Sequence, residues 1–527
     1  MSATEESNST QVAEADSARS AGRGGVALLA GKVFFLLAGL VQQIALKQIL
    51  GLGGYGAYST ASSLGSVCYN PLVAAGIQGV SRQVAGADES SRTSGLGWLL
   101  RLHGLLALVA ASLFFAVSTT VARALGAPHL GSGLQILAGV LLLYGLYAPL
   151  VGYLNGRRRF AAQAGLDAFS AAARTLGLLS GAAGAALVFS PPLSTETRVA
   201  STMLGFVFAA LTVLLVALWV VGPWGNEPKS QPLRGYARSL APIWGGQVLL
   251  NLLFQADGLL LRRFAADAAE RSHLLLSAAD PFVGAYRASQ LFCFLPFQLL
   301  TSITLVLFPL VAAAQARACA ADLARLVDRG MRISLLLAGL MVTSIVAVPS
   351  GLLTLVFQQE TSLLASASMR ILGVGMGFFA VFGVATAALN SLGRERQSFL
   401  LVFAAAALVL LNCVLFVRGS SLSAELLTRT AAATSFALVV ATLVSLAMLS
   451  RASQARYPVL SLGRVLLAGG ASSAWVAWLL PTGPIMALLG AVLASISYLS
   501  ILYLLGELSI TDARMLAALT SRQSAKK

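Results

Sequence analysis

The sequence predicts an all-α polytopic membrane protein of about 14 transmembrane helices, arranged as two pseudo-symmetric six-helix lobes plus two C-terminal helices. Three observations predict it. The apolar fraction of the 527 residues is 57% and the charged fraction 11%, well below the ~25% that covers a soluble domain. Apolar runs of spanning length recur along the whole chain, and at ~20 residues per crossing they leave only short loops. The 50 glycines suit helices in lipid, where small residues let backbones approach closely.

The elements follow in order. Residues 1–22 are rich in Ser, Ala, Thr, Glu and Asp and read as a disordered cytoplasmic tail. They lack the basic-then-apolar order of a cleavable signal peptide. The N-terminal lobe, 23–222, holds the apolar runs Val26–Leu50, Gly56–Val80, Gly95–Val121, Gly133–Leu154, Ala162–Phe189 and Ala200–Val221. The polar stretch from Pro223 to Arg234 marks a cytoplasmic linker, 223–239. The C-terminal lobe, 240–450, holds Leu240–Leu261, Phe282–Ala312, Ile333–Phe357, Leu363–Asn390, Phe399–Val417 and Thr430–Leu449. Two additional spans, Val465–Leu480 and Ile485–Leu505, fall in 451–508, and 509–527 form a cytoplasmic tail. Between two spans of the second lobe, Gln315 to Arg332 reads as an amphipathic helix lying on the membrane. Leu323 and Leu326 oppose Arg317, Arg325 and Arg329 at helical spacing.

The net charge of +16 is scattered over many short loops, which excludes a nucleic-acid patch and fits the positive-inside rule. With a cytoplasmic N-terminus, inside segments hold about three times as many Lys and Arg as outside ones. Both termini are then cytoplasmic, which requires an even number of crossings. The cysteines (Cys68, Cys293, Cys319, Cys413) and histidines (His103, His129, His273) lie far apart, so no metal site, disulfide framework or cofactor is expected. The longest outer loop, Arg262 to Pro281, spans only ~20 residues, short for a catalytic site.

The two halves share a pattern. Gly56-Ala57-Tyr58 and Gly284-Ala285-Tyr286 open equivalent helices, each after a helix carrying a Gly-polar-Val step, Gly31-Lys32-Val33 and Gly246-Gln247-Val248. An even number of spans separates them, so the repeats run parallel about an axis along the membrane normal. In these stretches, GKVFFLLAGLVQQIALKQILGLGGYGAYSTA from Gly31 and FVGAYRASQLFCFLPFQLLTSITLVLFPLVAA from Phe282 with its Pro296 and Pro309 breaks, the sequence resembles the polysaccharide transporter family. This is an oligosaccharide flippase family of the multidrug/oligosaccharidyl-lipid/polysaccharide exporter superfamily. The resemblance implies a non-enzymatic flippase of the bacterial cytoplasmic membrane. It would carry a lipid-linked oligosaccharide, a polysaccharide precursor, from the cytoplasmic to the outer leaflet by alternating access. It also implies membrane lipids and polysaccharide-assembly proteins as partners, and leaves room for a coupled ion. A multidrug or ion-coupled antiporter of the same superfamily, or a lipid II flippase, is the alternative.

Charges within the spans need a reason, since each costs roughly 2.5–3.5 kcal/mol at mid-bilayer. Lys32 lies about 9 Å into its helix and either snorkels to the interface or grips an anionic substrate. Arg174 lies about 18 Å deep, beyond easy snorkelling. Asp167 shares its face two turns away, so the two either pair structurally or line a wet cavity. Arg287 and Asp257 stand near the outer side as a candidate gating pair, with snorkelling or an Asp257–Arg262 pair as the plain alternatives. Gln247, Asn251 and Gln255 form a stripe every four residues, which in lipid faces either another helix or the cavity.

Overall fold

The computed structural model describes residues 2–85, 96–188, 194–222, 233–316, 320–456, 459–479 and 483–508; side chains before Leu37 lie outside the described set. Within it every regular element is helical: α1 Ser2–Ala85, α2 Leu96–Ala124, α3 Gly131–Gly156, α4 Phe160–Val188, α5 Thr195–Val221, α6 Leu233–Arg271, α7 Asp280–Cys293, α8 Leu295–Ala316, α9 Ala320–Ala347, α10 Pro349–Ser391, α11 Glu395–Phe416, α12 Ala424–Ser453, α13 Val459–Leu479 and α14 Pro484–Leu504. Nine helices among the described residues are long and apolar enough to cross a membrane; α4 and α6, which carry several polar candidates, are not among them.

Breaks inside the assigned helices match spans to elements. Gly51, at φ +73° and ψ 174°, splits α1 into the first two spans, a conformation glycine adopts without strain. Gln358, at φ +70°, splits α10. The eighth span breaks at Phe294, where α7 ends before Pro296, and α8 continues past Pro309.

Four expectations change. The ninth span, read as Ile333–Phe357, ends at Ala347 instead; Pro349 then opens α10 at its first turn, the helix position where a missing N–H costs least. The stretch expected as a surface helix from Gln315 to Arg332 is, from Ala320, the first turns of α9 itself. Nothing between it and the span breaks the backbone ladder, so the two are one rod. Helix α1 begins at Ser2, inside the tail expected to be disordered; that tail is alanine-rich and has no proline. Residues 223–232 of the expected linker lie outside the described residues, and from Leu233 onward the chain is already α6.

Contacts divide the chain into two compact units, Met1–Gln255 and Ala256–Lys527, with the division inside α6. In the first unit, α1 packs on α3 and α4, α2 on α3, and α4 on α5. The α4–α5 contact depends on glycine. Gly177 and Gly181 form a Gly-x-x-x-Gly step on α4, and a Cβ at Gly205 of α5 would overlap the Gly177 carbonyl oxygen. In the second unit, α10 packs against α7, α8, α9 and α12, and α13 and α14 flank α9. There Gly375 faces Ser435, and a Cβ on it would lie 2.5 Å from the serine Cα.

Candidate functional site

Each unit contains a polar network within its helices. In the first, Gln42 of α1 is buried and accepts a hydrogen bond from Thr175 of α4 at 3.5 Å. Thr175 neighbours Arg174 in sequence. Arg174 and Asp167 are both half-buried on α4. Two tyrosines of α3 stand beside them: Tyr144 near Arg174 and hydrogen-bonded to Ser170, and Tyr147 near Asp167. Behind Tyr144, the rings of Tyr69 and Phe206 meet it edge-on, each at 5.7 Å. A guanidinium, a carboxylate and two phenol hydroxyls therefore cluster between α3 and α4, beside the rings of Tyr69 and Phe206. Charged and hydroxyl groups inside the membrane turn toward protein partners or water rather than lipid.

The glutamine and asparagine stripe of α6 divides in its roles. Asn251 is buried; its Oδ1 accepts from Asn70 of α1 at 2.8 Å, and its amide donates to the Gln247 carbonyl at 2.9 Å. It bonds another helix, while Gln247 and Gln255 stay half-buried. A second interhelical bond joins buried His103 of α2 to Tyr236 of α6, Nε2 to hydroxyl at 2.8 Å.

In the second unit, Asp257 is buried and fully engaged. It accepts from the Tyr286 hydroxyl at 2.8 Å, from the Gln290 amide at 3.0 and 3.1 Å, and from the Gly258 backbone N–H at 2.8 Å. Gln290 in turn accepts from Arg287 at 3.1 Å. The structure thus links Arg287 to Asp257 through Gln290. Arg262, the other partner considered for Asp257, pairs with Asp280 at 3.3 Å and donates to the Leu276 carbonyl at 3.1 Å. The Lys32 side chain lies outside the described residues.

Several of these groups, Gln42, Asn70, His103, Tyr236 and Gln290, were not singled out as site residues in the sequence, nor was Lys47, a buried cation of α1. A signal for two of them was present. Counted from the matched glycines Gly31 and Gly246, Gln42 and Asp257 share one offset (42 − 31 = 257 − 246), and Lys47 and Arg262 share another (47 − 31 = 262 − 246). Both pairs are buried, Lys47 at 2% exposure and Arg262 at 0%. The repeat therefore extends along the first helix of each half, as a polar group followed one and a half turns later by a buried cation.

Similar structures share this architecture. A lipid II flippase, MurJ, in an inward closed conformation is 12% identical, with a TM-score of 0.73 over 90% of this chain and 98% of that one. An inward-facing multidrug resistance MATE transporter of the MOP superfamily is 13% identical, with a TM-score of 0.64 over 81% and 99%. A MOP superfamily transporter from Pyrococcus furiosus, described as having a binding pocket of reversed polarity, is 14% identical, with a TM-score of 0.58 over 82% and 95%. No curated protein matches by sequence. The fold is the one shared by the MurJ and MATE structures, and nine helices among the described residues are long and apolar enough to cross a membrane. The family described as polysaccharide biosynthesis protein matches residues 21–315, more than half of the sequence, and the chain belongs to that family.

Proposed function

We propose that this protein is a flippase that moves an anionic lipid-linked oligosaccharide from the cytoplasmic to the outer leaflet by alternating access of its two lobes. The observation that carries the reading is Arg174, held about 21 Å from either end of α4 beside Tyr144 and near Gln42, in a chain of the polysaccharide biosynthesis family. A guanidinium at that depth stays charged only with water or counter-charge around it, and its planar fork matches phosphate oxygens. Lys32, Arg287 and the half-buried Gln247 and Gln255 would supply further polar contacts along the path, with Asn251 supporting the stripe they stand on. Asp167 and Asp257 would act as the charge partners that exchange with substrate or close the path.

The proposed setting is the bacterial cytoplasmic membrane with both termini inside. Moving one negative charge outward across a 100 mV inside-negative potential gains about 2.3 kcal/mol, so the potential itself favours export. The lobes would span 23–222 and 240–450, with the helices in 451–508 appended to the second. The reading is tested in proteoliposomes loaded with a fluorescent polyprenyl-diphosphate oligosaccharide, by the rate at which label becomes accessible to an impermeant quencher. Acceleration over empty liposomes supports it. Acceleration only for lipid II would assign a peptidoglycan precursor instead, and uptake of organic cations without lipid movement would replace it with drug antiport.

A further inference from the structure

Tyr236, in the first turn of α6, is 2% exposed. Its ring enters a socket of the first unit between α1, α2 and α3. Val80, Leu96 and Tyr153 pack with it there. Trp98 meets the ring edge-on at 6.0 Å, and the hydroxyl is hydrogen-bonded to His103 Nε2 at 2.8 Å. The floor of the socket is Gly79 of α1, where a Cβ would lie 2.8 Å from the Tyr236 hydroxyl. The phenol fits because position 79 carries no side chain.

Behind this plug the helix is loosely seated. Among the described residues from Ala237 to Leu250 none is buried. The next buried residue is Asn251, bonded to Asn70 of α1. Pro242 stands between plug and asparagine, exposed and inside the helix. It lacks the N–H that would bond the Arg238 carbonyl, so the backbone ladder is open at that turn. Beyond the unit boundary at Gln255 the seating changes. Ala256, Asp257, Leu261 and Arg262 are all buried, and Asp257 accepts from Gly258, Tyr286 and Gln290. The half of α6 that can yield is therefore the one carrying Tyr236.

We propose that Tyr236 is a releasable latch. Seated on His103, it fixes the start of α6 to the first unit; unseated, it lets the segment ahead of Pro242 swing away, with Asn251 as the pivot. The inference rests on the alternating access proposed above. The two units divide inside α6, so this helix takes up the strain when the lobes exchange access. A plug on a sparsely buried arm gives it a place to yield while the half beyond Gln255 stays seated.

The test is pulsed electron paramagnetic resonance on the full chain in lipid nanodiscs. Spin labels go on Arg159→Cys and Arg238→Cys, both exposed positions, with the native cysteines replaced by alanine. This background is expected to show a main short distance and a minor longer one. Tyr236→Phe keeps the ring and removes the hydrogen bond. Gly79→Ala keeps both bonding partners but fills the floor of the socket, and it raises helix propensity in α1. Each change should raise the ratio of long to short distances roughly tenfold, the equivalent of about one buried hydrogen bond. An unchanged distribution in either variant overturns the latch. So does a featureless broadening without a second distance, because the start of α6 would then be unfolding and not swinging. The labels report position without transport, so this inference and the flippase reading it rests on fail separately.

Discussion

Glu507→Gln should loosen the C-terminal helices from the second unit, and the size of the effect can be worked from the contacts. Glu507 follows α14; its side chain is 3% exposed and accepts from Ser461 at 2.6 Å, Arg464 at 2.8 Å and Arg332 at 2.8 Å. One carboxylate thereby ties the starts of α13 and the span of α9 to the end of α14. Breaking one side of a fully buried pair costs about 3–5 kcal/mol. Here the two arginines are 38% and 37% exposed, so water screens the charges left behind, and about 1–3 kcal/mol is expected. Burial works to raise the Glu507 carboxyl, but the bonds from Ser461, Arg464 and Arg332 outweigh it and hold the group below its usual range. Because folding lowers this pKa, its stabilisation is fully present above the ordinary value of 4.5 and is lost as pH falls through the folded-state value below it. Thermal unfolding in detergent, followed from pH ~7 to ~3, reads both effects. Glu507→Gln should melt lower at neutral pH and lose part of the acid dependence. An unchanged melting temperature and an unchanged acid profile would refute the reasoning.

Three further outcomes are expected. Gly205→Val drives a branched side chain into the Gly177 carbonyl. It should cost about 3 kcal/mol, seen as low membrane abundance; normal abundance would mean that α4 and α5 are not glycine-packed. Asp257→Asn turns one acceptor into a donor facing the Tyr286 and Gln290 donors and should cost about 1.5–3 kcal/mol in unfolding assays, with reduced export. Wild-type stability and export in that variant would leave the network without a role. Reporter fusions after Arg159, near Lys229 and at the C-terminus should report cytoplasm, and one near Thr195 the outside; an outside signal at Lys229 would end the proposed topology.

The helices were legible because lipid requires long apolar runs, and Gly51 and the break near Pro296 showed as punctuation. Pro349 was read through because its surroundings stay apolar on both sides; hydropathy does not register where a backbone ladder stops. The segment before Ile333 was amphipathic, as read, but its continuity with the span is a backbone property that side-chain pattern leaves open. The site was legible in residue type and not in pairing. Asp257 reaches Tyr286 across 29 residues, Tyr236 reaches His103 across 133, and Asn70 reaches Asn251 across 181. No local spacing rule encodes such contacts. A symmetry rule would have found some: carrying the Gly-polar-Val match further along each helix aligns Gln42 with Asp257 and Lys47 with Arg262.

The most direct test of the flippase account is export of the lipid-linked oligosaccharide by Arg174 and Asp167 variants, compared at matched membrane abundance. The account predicts that Arg174→Gln abolishes export while the protein inserts normally. Arg174→Lys should recover only part, since it keeps the charge without the bidentate fork. The double variant Arg174→Gln with Asp167→Asn removes both charges, so it relieves any unpaired carboxylate without restoring a phosphate contact. It is predicted to be stable and still inactive. Full export by that double variant would contradict the account: Arg174 would be a structural charge, and the phosphate-binding role would pass to Lys32 and Arg287.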